Sequence, residues 1–309
     1  MLALSLDASQ ISQASFCPLS WYLRYRENLA PTGEKREALD KGTIFHMYLG
    51  EYYLAKAEGF TYDEACQRTV VKFKDNQEIK KLDPTGEYNQ ALSQRFLQYV
   101  MRYSQNDLRA IKKDGTSAVE IGFSVKIYED SEFTFIIEGR IDLIGEIEKT
   151  LFVDHKTQGR KSNLYKYKPQ FLTYALATGL EYGLINYIGM TKECTNDTFR
   201  RALIHFPPWK IAEWRKYIIE RVFWPIGVKL KKFQYIRENC KDPQLLEFTQ
   251  SEERALFELD KRLTSCSGAF DSNSCMYAPL CETNDVQMIK TIKAFQYEKI
   301  SPWSPWDEE

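Results

Sequence analysis

The sequence lacks the features of a membrane or secreted protein. No apolar run approaches the roughly 20 residues that a membrane-spanning helix needs. The N-terminus lacks the basic-then-apolar pattern that is typical of a secretory signal. We therefore expect a cytoplasmic protein without a membrane partner.

The sequence also lacks an excess of either charge. It has 42 Lys and Arg residues against 43 Asp and Glu residues, which gives a net charge of -1. Proteins that hold nucleic acid usually carry a basic excess. The composition therefore does not indicate a nucleic-acid partner, and any basic surface must be local.

Internal repeats and low-complexity segments are absent from the 309 residues. With 43% hydrophobic and 28% charged residues, the chain is long enough for one large globular domain. Seven cysteines without a secretory signal favour metal ligation or buried thiols over structural disulfides.

Two neighbouring stretches, 139–145 and 151–157, have the β-branched and aromatic content of strands and are separated by a turn-prone Glu-Lys-Thr. Alternate side chains of a strand share a face, so Asp154 and Lys156 project together. The same parity lets a hairpin bring Asp142 beside Asp154. Two neighbouring carboxylates repel each other unless a cation lies between them.

A predicted helix at 38–57 lies upstream and contains His46, with Gly42 and Gly50 four residues to either side. Glycine weakens a helix interior by about 1 kcal/mol, so this pair indicates that something approaches this face closely. A strand that begins near Ala118 alternates apolar and polar residues and carries Glu120 on its polar face.

Downstream, the stretch 156–168 has five basic residues, no acidic residue and two interleaved tyrosines, which makes it a candidate phosphate-binding segment. Pro169 then occupies a favoured first-turn position of a helix. On that helix Gln170 and Tyr174 share one face at a spacing of four.

These motifs together resemble the RecB-like branch of the PD-(D/E)XK nuclease superfamily. The matching elements are Gly-x-x-Asp at 139–142, Asp-x-Lys at 154–156 and Gln-x-x-x-Tyr at 170–174, with a helical histidine upstream. The resemblance implies an α/β restriction-endonuclease-like core with a central mixed sheet flanked by helices. It implies one nuclease domain over 1–309, with a helical region at 1–117, the core at 118–206 and a second helical region at 207–309.

The resemblance also assigns roles to the residues of the motifs. His46, Asp142 and Asp154 would bind magnesium or manganese, which accept carboxylate oxygen, and manganese also accepts imidazole. Lys156 would orient or deprotonate the attacking water, or stabilise charge on the phosphate. Gln170 and Tyr174 would position these groups, and Glu120 is a further candidate carboxylate. Alone, Asp-x-Lys is commonly a solvated charge pair. The order of the motifs around it favours a role in an active site. His155 points to the opposite strand face and is expected to pack, and His205 has no expected role.

Four cysteines form a second constellation: Cys17, Cys266, Cys275 and Cys281. Thiolates suit an iron-sulfur cluster or zinc, and their spacing does not choose between the two. The resemblance to AddB-type subunits and CRISPR-associated exonucleases implies a structural 4Fe-4S cluster that joins the two helical regions. The gap between Cys266 and Cys275 is longer than the family pattern.

Two functions follow from this resemblance. The first is a metal-dependent DNA exonuclease that acts on single-stranded ends. The second is a DNA-end-binding or processing subunit of a larger recombination, replication or CRISPR-type complex, for which the near-neutral charge leaves room. The tail at 301–309, with two tryptophans and terminal acidic residues, is a candidate protein-binding peptide, and packing of Trp303 on the body is an equal alternative.

Overall fold

The computed structural model describes residues 1–32, 37–105, 107–113, 116–158, 168–190, 194–195, 197–239, 253–257, 275–283 and 285–302. The chain divides into two compact units that alternate along the sequence. Unit 1 comprises 1–34, 124–139 and 212–309, and unit 2 comprises 35–123 and 140–211. Within the described ranges, no helix is long and apolar enough to cross a membrane.

Most of the helices lie before or after the central run of strands in the chain. They are α1 (Ala8–Phe16), α2 (Pro18–Trp21), α3 (Glu37–Glu58), α4 (Tyr62–Lys74), α5 (Gln77–Leu82), α6 (Glu87–Tyr103), α7 (Pro169–Thr178), α8 (Pro208–Ile218), α9 (Trp224–Asn239), α10 (Ala278–Cys281) and α11 (Val286–Gln296). Two π-helical turns, Tyr22–Arg26 and Ile219–Phe223, follow α2 and α8. The short helix at 253–257 is also described.

Most of the strands lie in the middle of the chain. They are β1 (Leu2–Leu6), β2 (Leu29–Pro31), β3 (Arg109–Ala110), β4 (Lys112–Lys113), β5 (Thr116–Ser117), β6 (Val119–Glu129), β7 (Phe133–Glu146), β8 (Thr150–Gln158), β9 (Tyr182–Gly189), β10 (Phe199–His205) and β11 (Tyr297–Lys299).

A mixed sheet organises unit 2. The second half of β7 pairs antiparallel with β8, β8 pairs parallel with β9, and β9 pairs antiparallel with β10. Parallel neighbours need a crossover, and α7 supplies it between β8 and β9. The expected mixed sheet flanked by helices is confirmed.

The two faces of this sheet bury different helices. Leu143 and Val153 belong to one apolar core with Phe45 of α3. On the other face the Phe152 ring meets the Tyr174 ring of α7 edge-on, with centroids 5.8 Å apart. The alternation of strand side chains therefore places α3 on the Val153 face and α7 on the Phe152 face.

The long helices of unit 2 begin and end at recognisable signals. Thr61 and Glu64 form a reciprocal capping box at the start of α4, because the Thr61 hydroxyl accepts from the Glu64 N–H and the Glu64 carboxylate accepts from the Thr61 N–H. Pro169 occupies the first turn of α7, and Gly179 ends that helix at a φ of 69°. The ends of α7 therefore place Gln170 and Tyr174 in its first two turns.

Unit 1 contains both ends of the described chain. Strand β1 pairs parallel with the first half of β7, and β2 pairs antiparallel with β11. The buried Tyr277 hydroxyl donates to the Leu29 carbonyl at 2.7 Å, and its ring stacks on that of Tyr297. Protein contacts therefore join N-terminal and C-terminal segments that lie more than 240 residues apart.

We predict that Tyr277→Phe lowers the free energy of unfolding by about 1–2 kcal/mol, because the buried Leu29 carbonyl loses its donor. Urea unfolding of the purified protein measures this change. Tyr235→Phe is the matched control, since the Tyr235 side chain is 68% exposed. An equal loss of stability in both variants would contradict the assignment.

Candidate active site

The predicted hairpin brings Asp142 to the strand that carries Asp154 and Lys156. The β7–β8 pairing runs from Glu146↔Thr150 to Leu143↔Val153, and one further step sets Asp142 opposite Asp154. At that step the His155 backbone N–H donates to Asp142 Oδ2 at 2.6 Å. In a regular antiparallel ladder a backbone N–H such as this one donates to a backbone carbonyl. Here it donates to the Asp142 side chain, and the regular pairing of β7 with β8 ends at Leu143↔Val153.

Three side chains from three elements converge at this point. His46 of α3 places Nδ1 3.6 Å from Asp142 Oδ2. One ligand atom each of His46, Glu120 and Asp142 lie within 4.8 Å of one another. An imidazole nitrogen and two carboxylates form a donor set that suits manganese, and magnesium through the carboxylates. Within the described chain, Asp154 is not part of this three-residue group.

The backbone at Glu120 is strained. Its φ of 51° lies in the left-handed region, which costs a non-glycine residue on the order of 1–3 kcal/mol. Residues held in this way cluster at functional sites. The strained residue here is one of the three converging side chains.

The two glycines around His46 allow this approach. A Cβ at Gly42 would lie 3.0 Å from Thr157 Oγ1 of β8, and a Cβ at Gly50 would lie 3.6 Å from Glu120 Cγ. The close approach predicted from the sequence is therefore confirmed: β8 and the Glu120 side chain come up to the His46 face of α3.

Asp154 is a buried carboxylate with incomplete hydrogen bonding. It is 1% exposed, and Lys156 Nζ lies 3.0 Å from each of its oxygens. Only Oδ1 has hydrogen bonds, from Lys156 and from Gln170 Nε2 at 2.9 Å, and Oδ2 has no hydrogen-bond partner among the described residues. Burial raises the pKa of Asp154, and Asp142 adds to that rise. A buried oxygen that accepts no hydrogen bond and is balanced only by the Lys156 ammonium is costly, and the neighbourhood of two more carboxylates fits a cation.

Gln170 and Tyr174 lie on one face of α7, as the spacing predicts. Gln170 Nε2 donates both to Asp154 Oδ1 and to the Tyr174 hydroxyl, each at 2.9 Å. The Tyr174 ring is held in turn by Phe152 and Phe123, both edge-on. The amide therefore ties the first turns of α7 to the Asp154 carboxylate.

The charge of Lys156 is set by the same carboxylates. Burial lowers the pKa of the Lys156 ammonium, but Asp154 and Asp142 outweigh burial and the pKa is raised. The ammonium is therefore protonated beside the carboxylates in the metal-free protein, and its side chain is 33% exposed.

His155 packs on the face opposite Asp154, as expected. Its ring stacks on Tyr53 at 5.8 Å with an interplanar angle of 8°, and the His46 ring meets it edge-on at 5.9 Å. Burial lowers the pKa of His155 to about 3, so the ring is neutral. His205 is exposed and lies 3.4 Å from Glu181.

The cysteines and the basic segment are described only in part. Cys17 is buried, Cys275 and Cys281 are partly exposed, and all three belong to unit 1. Burial raises the pKa of Tyr297 to about 12, and Tyr277, Cys275 and Cys281 add to that rise. Among the described residues no set of cysteines meets the 4.8 Å spacing of the His46 group. Cys266, residues 159–167 and residues 303–309 lie outside the described residues.

One buried polar group near the site is absent from the sequence motifs. Asn186 of β9 is fully buried, and its Nδ2 lies 2.8 Å from His155 Nδ1 and 2.7 Å from the Tyr99 hydroxyl. The available signal was an asparagine in the middle of the apolar run 184–188. Buried polar side chains need hydrogen-bond partners. An asparagine at this position therefore indicates a polar neighbour in the fold, but the sequence does not identify that residue.

A sequence profile described as the PD-(D/E)XK nuclease superfamily matches residues 5–282. The chain belongs to the PD-(D/E)XK nuclease superfamily. Nucleases of this superfamily use divalent metals, and the His46, Glu120 and Asp142 group is a possible metal site. The family assignment indicates an enzyme that acts on DNA.

Two further comparisons add little to this assignment. No curated protein sequence matches the chain. A solved structure titled "Crystal structure of SSO0001" aligns with 57% of this chain and 81% of its own at 16% identity, with a TM-score of 0.28. The family assignment therefore depends on the sequence profile.

We predict that Glu120→Gln weakens manganese binding by roughly tenfold or more, because a carboxylate ligand becomes a neutral amide. Calorimetric titration of the metal-free protein with manganese measures the dissociation constant. Glu146→Gln is the matched control, since Glu146 belongs to β7 and pairs with Arg109 away from the group. Equal affinities in wild type and Glu120→Gln would remove Glu120 from the site.

Proposed function

We propose that this PD-(D/E)XK nuclease is a metal-dependent DNA exonuclease that acts on single-stranded ends, with a 4Fe-4S cluster as structural support. The observation that carries the hydrolytic activity is the convergence of the His46, Glu120 and Asp142 ligand atoms next to a buried Asp154–Lys156 pair. Carboxylates, an imidazole and an ammonium in one place suit the hydrolysis of a phosphodiester.

The residues divide the work by their chemistry. His46, Glu120 and Asp142 would hold the divalent ion, and Asp154 Oδ2, which accepts no hydrogen bond from the described residues, offers one more oxygen. When bound, the ion polarises the phosphate and lowers the pKa of a water molecule. Lys156, as a protonated ammonium, donates to the phosphate oxygens and stabilises the charge that develops on them.

Gln170 acts on the same step without contacting the ion. Its amide donates to Asp154 Oδ1, so Oδ2 is the carboxylate oxygen that accepts no hydrogen bond from the described residues. The second amide contact, to the Tyr174 hydroxyl, holds the amide in that orientation. Gln170 is therefore a positioning residue for Asp154 in this proposal.

The preference for single strands has support in unit 1. Residues 212–239, which cover most of α8, the π turn and α9, contain seven basic and three acidic residues in a chain of net charge -1. Three of its aromatic side chains are substantially exposed: Tyr217, Trp224 and Tyr235. Basic residues interleaved with exposed aromatic rings are typical of surfaces on which unpaired bases stack. The preference for ends is supported by the motif resemblance alone.

We predict that Lys156→Ala reduces manganese-dependent degradation of linear single-stranded DNA by at least about 100-fold, because charge on the phosphate loses its donor. Release of nucleotides from an end-labelled oligonucleotide measures the rate. The matched control is Lys126→Ala, which also removes a lysine paired with a carboxylate, Glu129, but on the exposed part of β6. Unchanged degradation by Lys156→Ala would remove Lys156 from the mechanism.

Circular single-stranded DNA of the same composition tests the requirement for ends. Degradation of the linear substrate alone supports an exonuclease, and cleavage of the circle contradicts it. Tight binding of linear DNA without cleavage would favour the second function, a DNA-end-processing subunit of a larger assembly. The near-neutral charge of the chain is the observation that favours that alternative.

The cluster is tested by colour and iron content. We predict that Cys281→Ser abolishes the broad visible absorbance of anaerobically purified protein and lowers its iron content, because thiolate-bound iron absorbs visible light and thiolate-bound zinc does not. Cys194→Ser, at an exposed cysteine outside the proposed set, is the control. A colourless wild-type protein that contains zinc would contradict the cluster and support the zinc alternative.

A further inference from the structure

A row of buried polar side chains crosses the sheet of unit 2 beside the proposed metal site. The strand registers pair His155 of β8 with Asn186 of β9, and Asn186 with Arg201 of β10. Residues directly opposite on neighbouring strands share a sheet face. The three side chains therefore lie side by side on the face that α3 covers.

Two helices and a loop complete the row. Arg201 donates to Asp107 Oδ1 at 2.8 Å, to the Tyr99 hydroxyl of α6 at 2.7 Å and to the Tyr53 hydroxyl of α3 at 3.2 Å. Asn186 Nδ2 links the Tyr99 hydroxyl to His155 Nδ1. A continuous hydrogen-bonded path thus runs from the Asp107–Arg201 ion pair to the His155 ring.

The path ends on two of the proposed metal ligands. The His155 backbone N–H donates to Asp142 Oδ2, and the His155 ring lies perpendicular to the ring of His46 with the centroids 5.9 Å apart. His46 and Tyr53 are seven residues apart, so two successive turns of one α3 face contact the same imidazole. A rotation of the His155 ring would therefore disturb His46, and a shift of its backbone would disturb Asp142.

Such a network is expensive to bury, and one of its atoms, Asn186 Oδ1, has no hydrogen-bond partner among the described residues. Tyr53, Tyr99 and Asn186 are all fully buried. A partly satisfied polar network costs more than an apolar core of the same shape. A contribution to stability therefore does not explain a polar path at this place. The contact of the path with the proposed ligands Asp142 and His46 does explain it.

We infer that Asn186 is a positioning residue of the metal site, which acts through His155 on Asp142 and His46, with Tyr99 and Arg201 as its anchor. This inference rests on the metal site of the proposed function. It adds a role for residues that lie outside the nuclease motifs and that do not contact the ion.

The test uses Asn186→Leu, which keeps the shape of the side chain and removes its hydrogen bonds. Loss of a group that orients a metal ligand typically costs 10–100-fold in affinity or activity. We expect the manganese dissociation constant to rise by roughly tenfold or more. In DNA cleavage we expect kcat to fall while KM for the DNA stays unchanged, because Asn186 is fully buried and does not contact the substrate.

Tyr52→Phe is the matched control for lost stability. The buried Tyr52 hydroxyl donates to Asp107 Oδ2 at 2.9 Å, at the end of the path away from His155. It should lower the free energy of unfolding by about 1 kcal/mol and leave manganese binding and kcat unchanged. If Asn186→Leu does not fold, Tyr99→Phe takes its place, since it removes the hydroxyl that accepts from Asn186.

The measurements separate this inference from the proposed function. Manganese binding is titrated without DNA, so a protein that binds manganese but cuts nothing still tests the role of Asn186. Wild-type manganese affinity in the Asn186 variant, or in Tyr99→Phe where the first does not fold, would overturn the inference. So would a loss of affinity in Tyr52→Phe as large as the loss in Asn186→Leu.

Discussion

The hydrogen bond from the His155 backbone N–H to Asp142 Oδ2 is the contact on which the site depends. Further along the hairpin, β7 and β8 pair in regular register, so their side chains have no freedom to depart from the sheet faces. At Asp142 a carboxylate replaces the backbone acceptor, and the recorded pairing ends. His46 of α3 and Gln170 of α7 contact the two strands at the point where this regular pairing ends. One backbone donor therefore connects the sheet geometry to the chemistry.

Charge is the second constraint. Three carboxylates, those of Glu120, Asp142 and Asp154, gather around one histidine and one lysine. The negative charges of these carboxylates repel one another unless positive charge lies among them. Lys156 supplies one positive charge, and burial raises the pKa of the Asp154 carboxyl to about 6, which reflects the cost of its negative charge there. A divalent cation at the His46, Glu120 and Asp142 group would add two further positive charges among these carboxylates.

Local periodicity was enough to predict the main elements of the site. Strand parity placed Asp142, Asp154 and Lys156 on neighbouring positions, and helical spacing placed Gln170 with Tyr174. The glycines around His46 indicated a close approach without naming what approaches. In each case the interacting residues belong to one element or to one hairpin, so a period of 2 or 3.6 residues decides their relation.

Contacts between strands that are distant in the chain could not be predicted from local sequence patterns. The pairing of β8 with β9 and of β9 with β10 decides that His155, Asn186 and Arg201 form a row, and no local pattern encodes that order. The pairing of β2 with β11 in unit 1 is a second case, because it joins short strands from the two ends of the chain. The positive φ of Glu120 was equally hidden, since glutamate has no preference for that region. Long-range pairing and local strain are set by the whole fold.

Helix α3 shows how these levels combine on one surface. Its sheet-facing side carries Gly42, His46, Gly50 and Tyr53 in sequence, at spacings of four, four and three. The glycines let Thr157 and Glu120 come close, His46 meets Asp142, and Tyr53 stacks on His155 and bonds to Asp107. A change at any of these positions alters the distance between the helix and β8, and so alters the ligand geometry. The precision of the site is therefore a property of how α3 packs on the sheet, and the three motif segments supply only part of it.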